Sequence, residues 1–183
     1  MPKRLQHRRG VALSSGYEIR PAQLGDLSDL PVIERAAGQI FHEVGMHDVA
    51  DDDGPAPEVY EAARTSGRLW VAAHHETPVG YVLALLLEDQ PHLEQLSVDP
   101  EHGRRGLGAA LVDVVVGWAS TVGGSDLTLS TFRDVAWNRE YYERLGFEVV
   151  DDVSRSPVLL AVRAHEVAAG LDVDSRVIMR RSL

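Results

Sequence analysis

At 183 residues the chain has length for one domain with a sizeable core, and too little for two ordinary enzyme domains. With 44% apolar and 25% charged residues it is too hydrophobic to be disordered throughout, and the absence of cysteine excludes a disulfide scaffold, a thiolate metal site, a catalytic thiol and an iron–sulfur cluster together, pointing to the cytoplasm. The net charge is −10, yet Lys3, Arg4, Arg8 and Arg9 all fall in the first ten positions, leaving 14 basic against 28 acidic residues from Tyr17 to Leu183. A body of that sign repels nucleic acid and anionic membrane and favours cationic small molecules.

In chain order, Met1–Gly16 is expected to be a disordered basic extension. It lacks the apolar core of a secretory signal, and no other stretch reaches the ~18 uncharged apolar residues of a membrane span. Tyr17–Arg20 predicts a short strand ending at Pro21. Leu27, Leu30, Ile33, Ala36 and Ala37 recur at helical spacing and predict a helix from Asp26 to Ile40. Glu43 to Glu61 holds seven acidic residues and no Lys or Arg, broken by Gly54, Pro55 and Pro57, so a negatively charged loop is expected before a second helix near Glu58–Ser66. Arg68–Ala73 and Val79–Leu87 read as a hairpin through His74–Pro78, and His92–Val98 as the next strand. After Asp99-Pro100 a glycine-rich turn opens a helix, Leu107–Ser120, with Leu107, Leu111, Val114, Val115 and Trp118 on one face. Leu127–Thr131 is then a strand, Trp137–Leu145 a helix stopped by Gly146, and Phe147–Val150 a strand. Val158–Ala169 is a helix stopped by Gly170, and Arg176–Arg180 the last strand. The order is mixed α/β, in one domain from Tyr17 to Leu183.

The turn Arg104-Arg105-Gly106-Leu107-Gly108-Ala109 places glycines where a strand gives way to a helix, at the positive end of the helix dipole. Lacking β-carbons, Gly106 and Gly108 allow an anion close to the main chain, and two arginines reverse the local sign of charge. The pattern has neither the Gly-Lys-Ser/Thr of a P-loop nor the G-x-G-x-x-G of a dinucleotide fold. From the residues alone the turn is either an anion cradle or an ordinary helix cap.

Leu96-Ser97-Val98-Asp99-Pro100 followed by Gly106-x-Gly108 resembles the GNAT superfamily of N-acetyltransferases, whose signature is Q/R-x-x-G-x-G/A after a strand ending L-x-V-x-P. Gly103 stands where that family has Gln or Arg. The later run Asn138-Arg139-Glu140-Tyr141-Tyr142-Glu143-Arg144-Leu145-Gly146-Phe147 resembles the family's aromatic-Tyr-x-x-x-Gly-Phe segment. The resemblance implies an α/β (α+β) single domain with a central, mixed but mostly antiparallel sheet of about seven strands flanked by helices. It implies acetyl-CoA as co-substrate, without a metal. Its pyrophosphate would lie on the turn Arg104, Arg105, Gly106, Leu107, Gly108 and Ala109, and its pantetheine arm near Asn138. Main-chain groups of Leu96, Ser97 and Val98 would receive the thioester carbonyl where two strands of the sheet diverge.

Acetylating an alkyl amine, mostly protonated at neutral pH with its pKa near ~10, requires a proton acceptor. Glu94 and His92 are the candidates: two apart on one strand they share a face, with Leu96 and Val98 expected to continue the row. Glu94 reads equally as a rim residue with its head in water. Tyr142 is the candidate acid for the departing thiolate, or else a packed aromatic beside Tyr141 and Leu145. His42, Glu43, His47, Asp48 and Asp51–Asp53 read as solvated loop charge rather than metal ligands. In the resembling family this region borders the acceptor, and its charge favours a cationic or polyamine-like amine. His74-His75 reads as a hairpin tip and His165-Glu166 as an exposed helix face. Asp151–Leu171 would cover the acceptor pocket or form a homodimer contact. The expected activity is direct acetyl transfer to a small primary amine. Its rivals are a non-catalytic acyl-CoA-binding or regulatory module, and a transferase for a protein N-terminus or lysine.

Overall fold

Near-continuous apolar runs, covered on both faces, and two tight turns build one half of the sheet. In the computed structural model, which describes residues 13–154 and 156–183, β2 (Leu69–His74), β3 (Thr77–Leu87) and β4 (Gln90–Val98) form a meander. His75 and Glu76 (φ 47° and 72°) and Glu88 and Asp89 (φ 46° and 69°) make its two-residue turns, in the left-handed conformations that match strand twist. The basic extension expected over Met1–Gly16 lies, through residue 12, outside the described residues. β1 (Tyr17–Pro21) adds to the β2 edge. β5 (Asp126–Phe132), β6 (Glu148–Val149) and β7 (Arg176–Ser182) complete a seven-stranded sheet of order β1-β2-β3-β4-β5-β7-β6. All pairs are antiparallel except β4 with β5. That parallel pair is in register only at His92 with Thr128 and Leu93 with Leu129, so the two strands diverge toward Val98 and Phe132.

Helices cover both faces. On one, α4 (Leu107–Thr121) buries Leu107, Leu111, Val112, Val115 and Ala119 against Val82, Ala84, Leu93, Leu127, Leu129 and Met179. Each fully buried leucine there contributes about 2 kcal/mol. Val114 and Trp118, expected in the buried row, pack at its margin. On the other face, α1 (Leu30–Gly38) and α3 (Pro57–Thr65) pack Leu30, Ile33, Tyr60 and Ala63 on Val71, Tyr81 and Leu83. On the same side α6 (Pro157–Ala168) lays Leu159 and Val162 on Ile178. The helix expected from Asp26 is broken. Asp26 ends a 3-10 turn, Leu24–Asp26, where its carboxylate accepts from the Arg20 guanidinium at 2.6 and 2.9 Å and from the Gln23 N–H at 2.7 Å. The acidic stretch contains a short helix, α2 (His47–Ala50).

β4 departs from simple alternation. Leu83 opposes Gln95, but the next residue, Ala84, opposes Leu93, so Glu94 is an extra residue, a β-bulge. The bulge corrects the expected row. His92, Glu94, Gln95 and Ser97 face α1 and α6, whereas Leu93, Leu96 and Val98 pack toward α4.

Candidate active site

The turn between β4 and α4 is held by its own polar groups. Asp99 accepts the Glu101 N–H at 2.9 Å, and the Arg105 guanidinium donates to the carbonyls of Glu101 and Gly103 at 2.9 and 3.1 Å. Arg105 therefore clamps the turn from within and does not line the cavity described next. Arg104 has φ 58°, and Gly106, with φ 79°, is the N-cap of α4 without a side-chain cap. By contrast, Ser156 caps α6 by accepting the Leu159 N–H. The first hydrogen bond of α4 runs from the Ala110 N–H to the Gly106 carbonyl, so the N–H groups of Leu107, Gly108 and Ala109 have no acceptor inside the helix. Helix dipole, bare amides and the Arg104 charge together make this end of α4 fit for a phosphate group.

A cavity of about 330 Å³ opens beside it. Leu96 and Val98 line it from β4, Arg104, Gly106, Leu107, Gly108 and Ala109 from the turn and α4, and Asn138 and Tyr142 from α5 (Ala136–Arg144). His102 and Tyr141 line it as well, and the sequence reading named neither for the site. A β-carbon on Gly108 would collide with the Tyr141 hydroxyl oxygen, so this glycine makes room for that side chain in the cavity wall. Burial pushes the Tyr141 phenol up to about 12 and the Tyr142 phenol well above its ordinary value of 10.0, so both are neutral. Tyr142 packs edge-on against Tyr141 and Phe147 at 5.3 and 5.9 Å, and among the described residues its hydroxyl has no hydrogen-bond partner. His102 accepts or donates at Nδ1 to the Tyr17 hydroxyl at 2.8 Å.

The opposite face of β4 is polar. His92 is 2% exposed and meets the Thr128 hydroxyl through Nδ1 at 2.9 Å. Burial drives its pKa down to about 3, with His165 and Arg176 adding to the effect, so its 3.6 Å approach to Glu94 Oε2 is not an ion pair. Glu94 Oε1 lies 2.8 Å from Nε2 of His165 on α6. His165 and Glu166 thus do not form the exposed helix face expected of them. Glu166 is 2% exposed, hydrogen-bonded by Ser130 and paired with Arg163 and Arg176 at 2.6 and 2.8 Å. A signal existed: Leu159, Val162 and Glu166 share one helical stripe.

Glu34 was also missed, although Leu30, Ile33 and Glu34 stand at core-facing spacing. Its carboxylate accepts from Tyr81 at 2.6 Å, Gln95 at 2.6 Å and Ser97 at 2.5 Å, and burial holds its pKa above the ordinary 4.5 despite these donors. Among the described residues no Lys, Arg or His pairs with it. In the acidic stretch, His42 and His47 meet Nδ1 to Nδ1 at 2.8 Å, and His42 Nε2 lies 3.2 Å from Asp51.

A sequence model described as the acetyltransferase (GNAT) family matches residues 35–147. Among solved structures, the fold is similar to that of PaiA N-acetyltransferase from Thermoplasma acidophilum in complex with coenzyme A. The TM-score is 0.69 at 16% identity, over 91% of this chain and 99% of that one. It is similar to the ribosomal-protein-S18-alanine N-acetyltransferase of Escherichia coli, with a TM-score of 0.62 at 18% identity, over 91% and 93%. It is similar as well to N-acetylglutamate synthase from Neisseria gonorrhoeae complexed with coenzyme A and N-acetyl-glutamate, at a TM-score of 0.64 and 19% identity. There the match covers 94% of this chain but 36% of the longer protein.

Proposed function

The chain belongs to the GNAT acetyltransferase family and is an acyltransferase, and from that premise we propose that it moves the acetyl group of acetyl-CoA to a primary amine by direct attack. One observation carries the reading: the uncapped N-terminus of α4, with Gly106, Gly108 and Arg104, opens into the same cavity as Leu96, Val98 and Tyr142. The bare amides of Leu107, Gly108 and Ala109 suit the pyrophosphate, and the divergence of β4 from β5 leaves main-chain N–H groups near Leu96–Val98 free for the carbonyl oxygen. Asn138 stands on the cavity wall, where the pantetheine arm would pass.

The chemistry divides between the two faces of β4. Glu94, beside His92, takes the ammonium proton; the freed amine nitrogen bonds to the thioester carbon as the carbon–sulfur bond breaks, Tyr142 gives its phenolic proton to the leaving sulfur, and the second proton, shed by the acylated nitrogen, returns to the phenolate through solvent. Burial keeps the Tyr142 phenol protonated at neutral pH, so its proton is in place when the sulfur departs. A cationic acceptor is favoured by the acidic stretch from Glu43 to Glu61 and by Glu34, a half-buried carboxylate held by neutral donors alone.

A thiol-release assay with acetyl-CoA tests this against a panel of spermidine, amino acids, aminoglycosides and peptides with free N-termini or lysines. Turnover with a small cationic amine supports the reading. Turnover confined to peptides moves the acceptor to a protein, and CoA binding without thiol release from any amine leaves a binding module.

A further inference from the structure

α6 delivers to the polar face of β4 one side chain that the proposed chemistry does not use, His165. Its Nε2 sits 2.8 Å from Glu94 Oε1, with the two side chains 30% and 25% exposed. The neighbouring bonds determine where the protons lie. The Thr128 hydroxyl donates to the Pro91 carbonyl at 3.1 Å, so its oxygen accepts from His92, which makes His92 the Nδ1–H tautomer with a bare Nε2. That lone pair faces Glu94 Oε2 across 3.6 Å. Two acceptors at that separation leave a place for one N–H or O–H donor about 2.8 Å from each. Such a donor is what an attacking amine, or the water relaying its proton, presents.

Resting on the reading of Glu94 as the base, we infer that His165 is a positioning residue for that carboxylate: its Nε2–H engages Oε1 and leaves Oε2 as the one free, basic oxygen, aimed at the lone pair of His92. A glutamate on a bulge at the sheet surface otherwise turns its head into water. The groups around His165 are Glu94 and the neutral His92 from β4, Arg163 and Glu166 on its own helix, and Arg176 from β7. The last three are closed on one another at 2.6 and 2.8 Å, which leaves Glu94 as the carboxylate for His165.

The test follows thiol release from acetyl-CoA, with spermidine and with water alone as acceptor, for H165A, H165Q, E94Q and the double variant E94Q/H165A across pH. H165A is expected to lose about 10-fold in kcat with KM for acetyl-CoA held within about 2-fold. H165Q, which keeps an N–H donor, is expected to recover to within about 3-fold of the unmodified enzyme. In the E94Q background, H165A is expected to add nothing. An H165A enzyme with unchanged kcat beside a crippled E94Q overturns the inference alone, as does an H165A defect undiminished in the E94Q background. A fully active E94Q overturns instead the assignment of Glu94. Should H165A fail to fold, H165Q decides: a kcat more than about 10-fold below the unmodified enzyme's contradicts a role that needs only an N–H donor.

Discussion

The two faces of β4 were built by different means. Toward α4, the candidate site consists of backbone amides, two glycines and an apolar wall, all from residues 96–109 plus one turn of α5. Toward α1 and α6, it consists of side-chain pairs between residues 36 to 71 positions apart: His92 with Thr128, Gln95 and Ser97 with Glu34, Glu94 with His165. The difference teaches which kind of site a chain states locally. A cradle of main-chain groups needs particular residue types at fixed spacing, whereas a polar network needs only complementary groups that the fold brings together.

The comparison breaks most sharply at Gly106. Its φ of 79° is costly for a β-branched residue, and a side chain there obstructs the anion's approach. Gly106→Val is expected to reduce CoA affinity by more than about 100-fold with the circular dichroism of the fold retained, and normal affinity would remove the turn from the site. On the other face, Glu166→Ala strands Arg163 and Arg176. It is expected to cost about 3 kcal/mol in urea unfolding while CoA affinity stays within about 2-fold, and coupled losses would show that the faces are not independent.

What was legible follows the same division. The strand-to-helix turn, the tyrosine pair and nearly every strand were readable because each depends on local spacing. The bulge at Glu94 was not, since alternation gives no sign of an inserted residue until its partner strand is known, and it moved Leu96 and Val98 off the face assigned to them. His165 and Glu166 were read as exposed because charged residues on a helix usually are; the stripe shared by Leu159, Val162 and Glu166 argued otherwise. Glu34 was passed over although it stands beside Ile33 on the buried side of α1.

Smaller effects sharpen the contrast. Tyr142→Phe is expected to lower kcat by about 10-fold, near 1.4 kcal/mol, with CoA affinity nearly intact, because the proton is needed only as sulfur departs; unchanged turnover in a single-turnover assay would refute the role. His92 gives a stability readout of its own. Its folded-state pKa is depressed from 6.5 to about 3, so the unfolded chain binds the extra proton first and stability falls as pH drops between those values. The slope from this group is at most about 1.4 kcal/mol per pH unit. His92→Asn is expected to flatten that part of the curve of urea midpoint against pH; an unaltered slope would mean that His92 is not held neutral.

Calorimetric titration of coenzyme A into the purified chain, with Gly106→Val as its control, asks most directly whether bare amides at the start of α4 clasp a diphosphate. Saturable heat at one site per chain, abolished in the variant, is the required result. No heat with the unmodified chain, or equal heat with both, would contradict it.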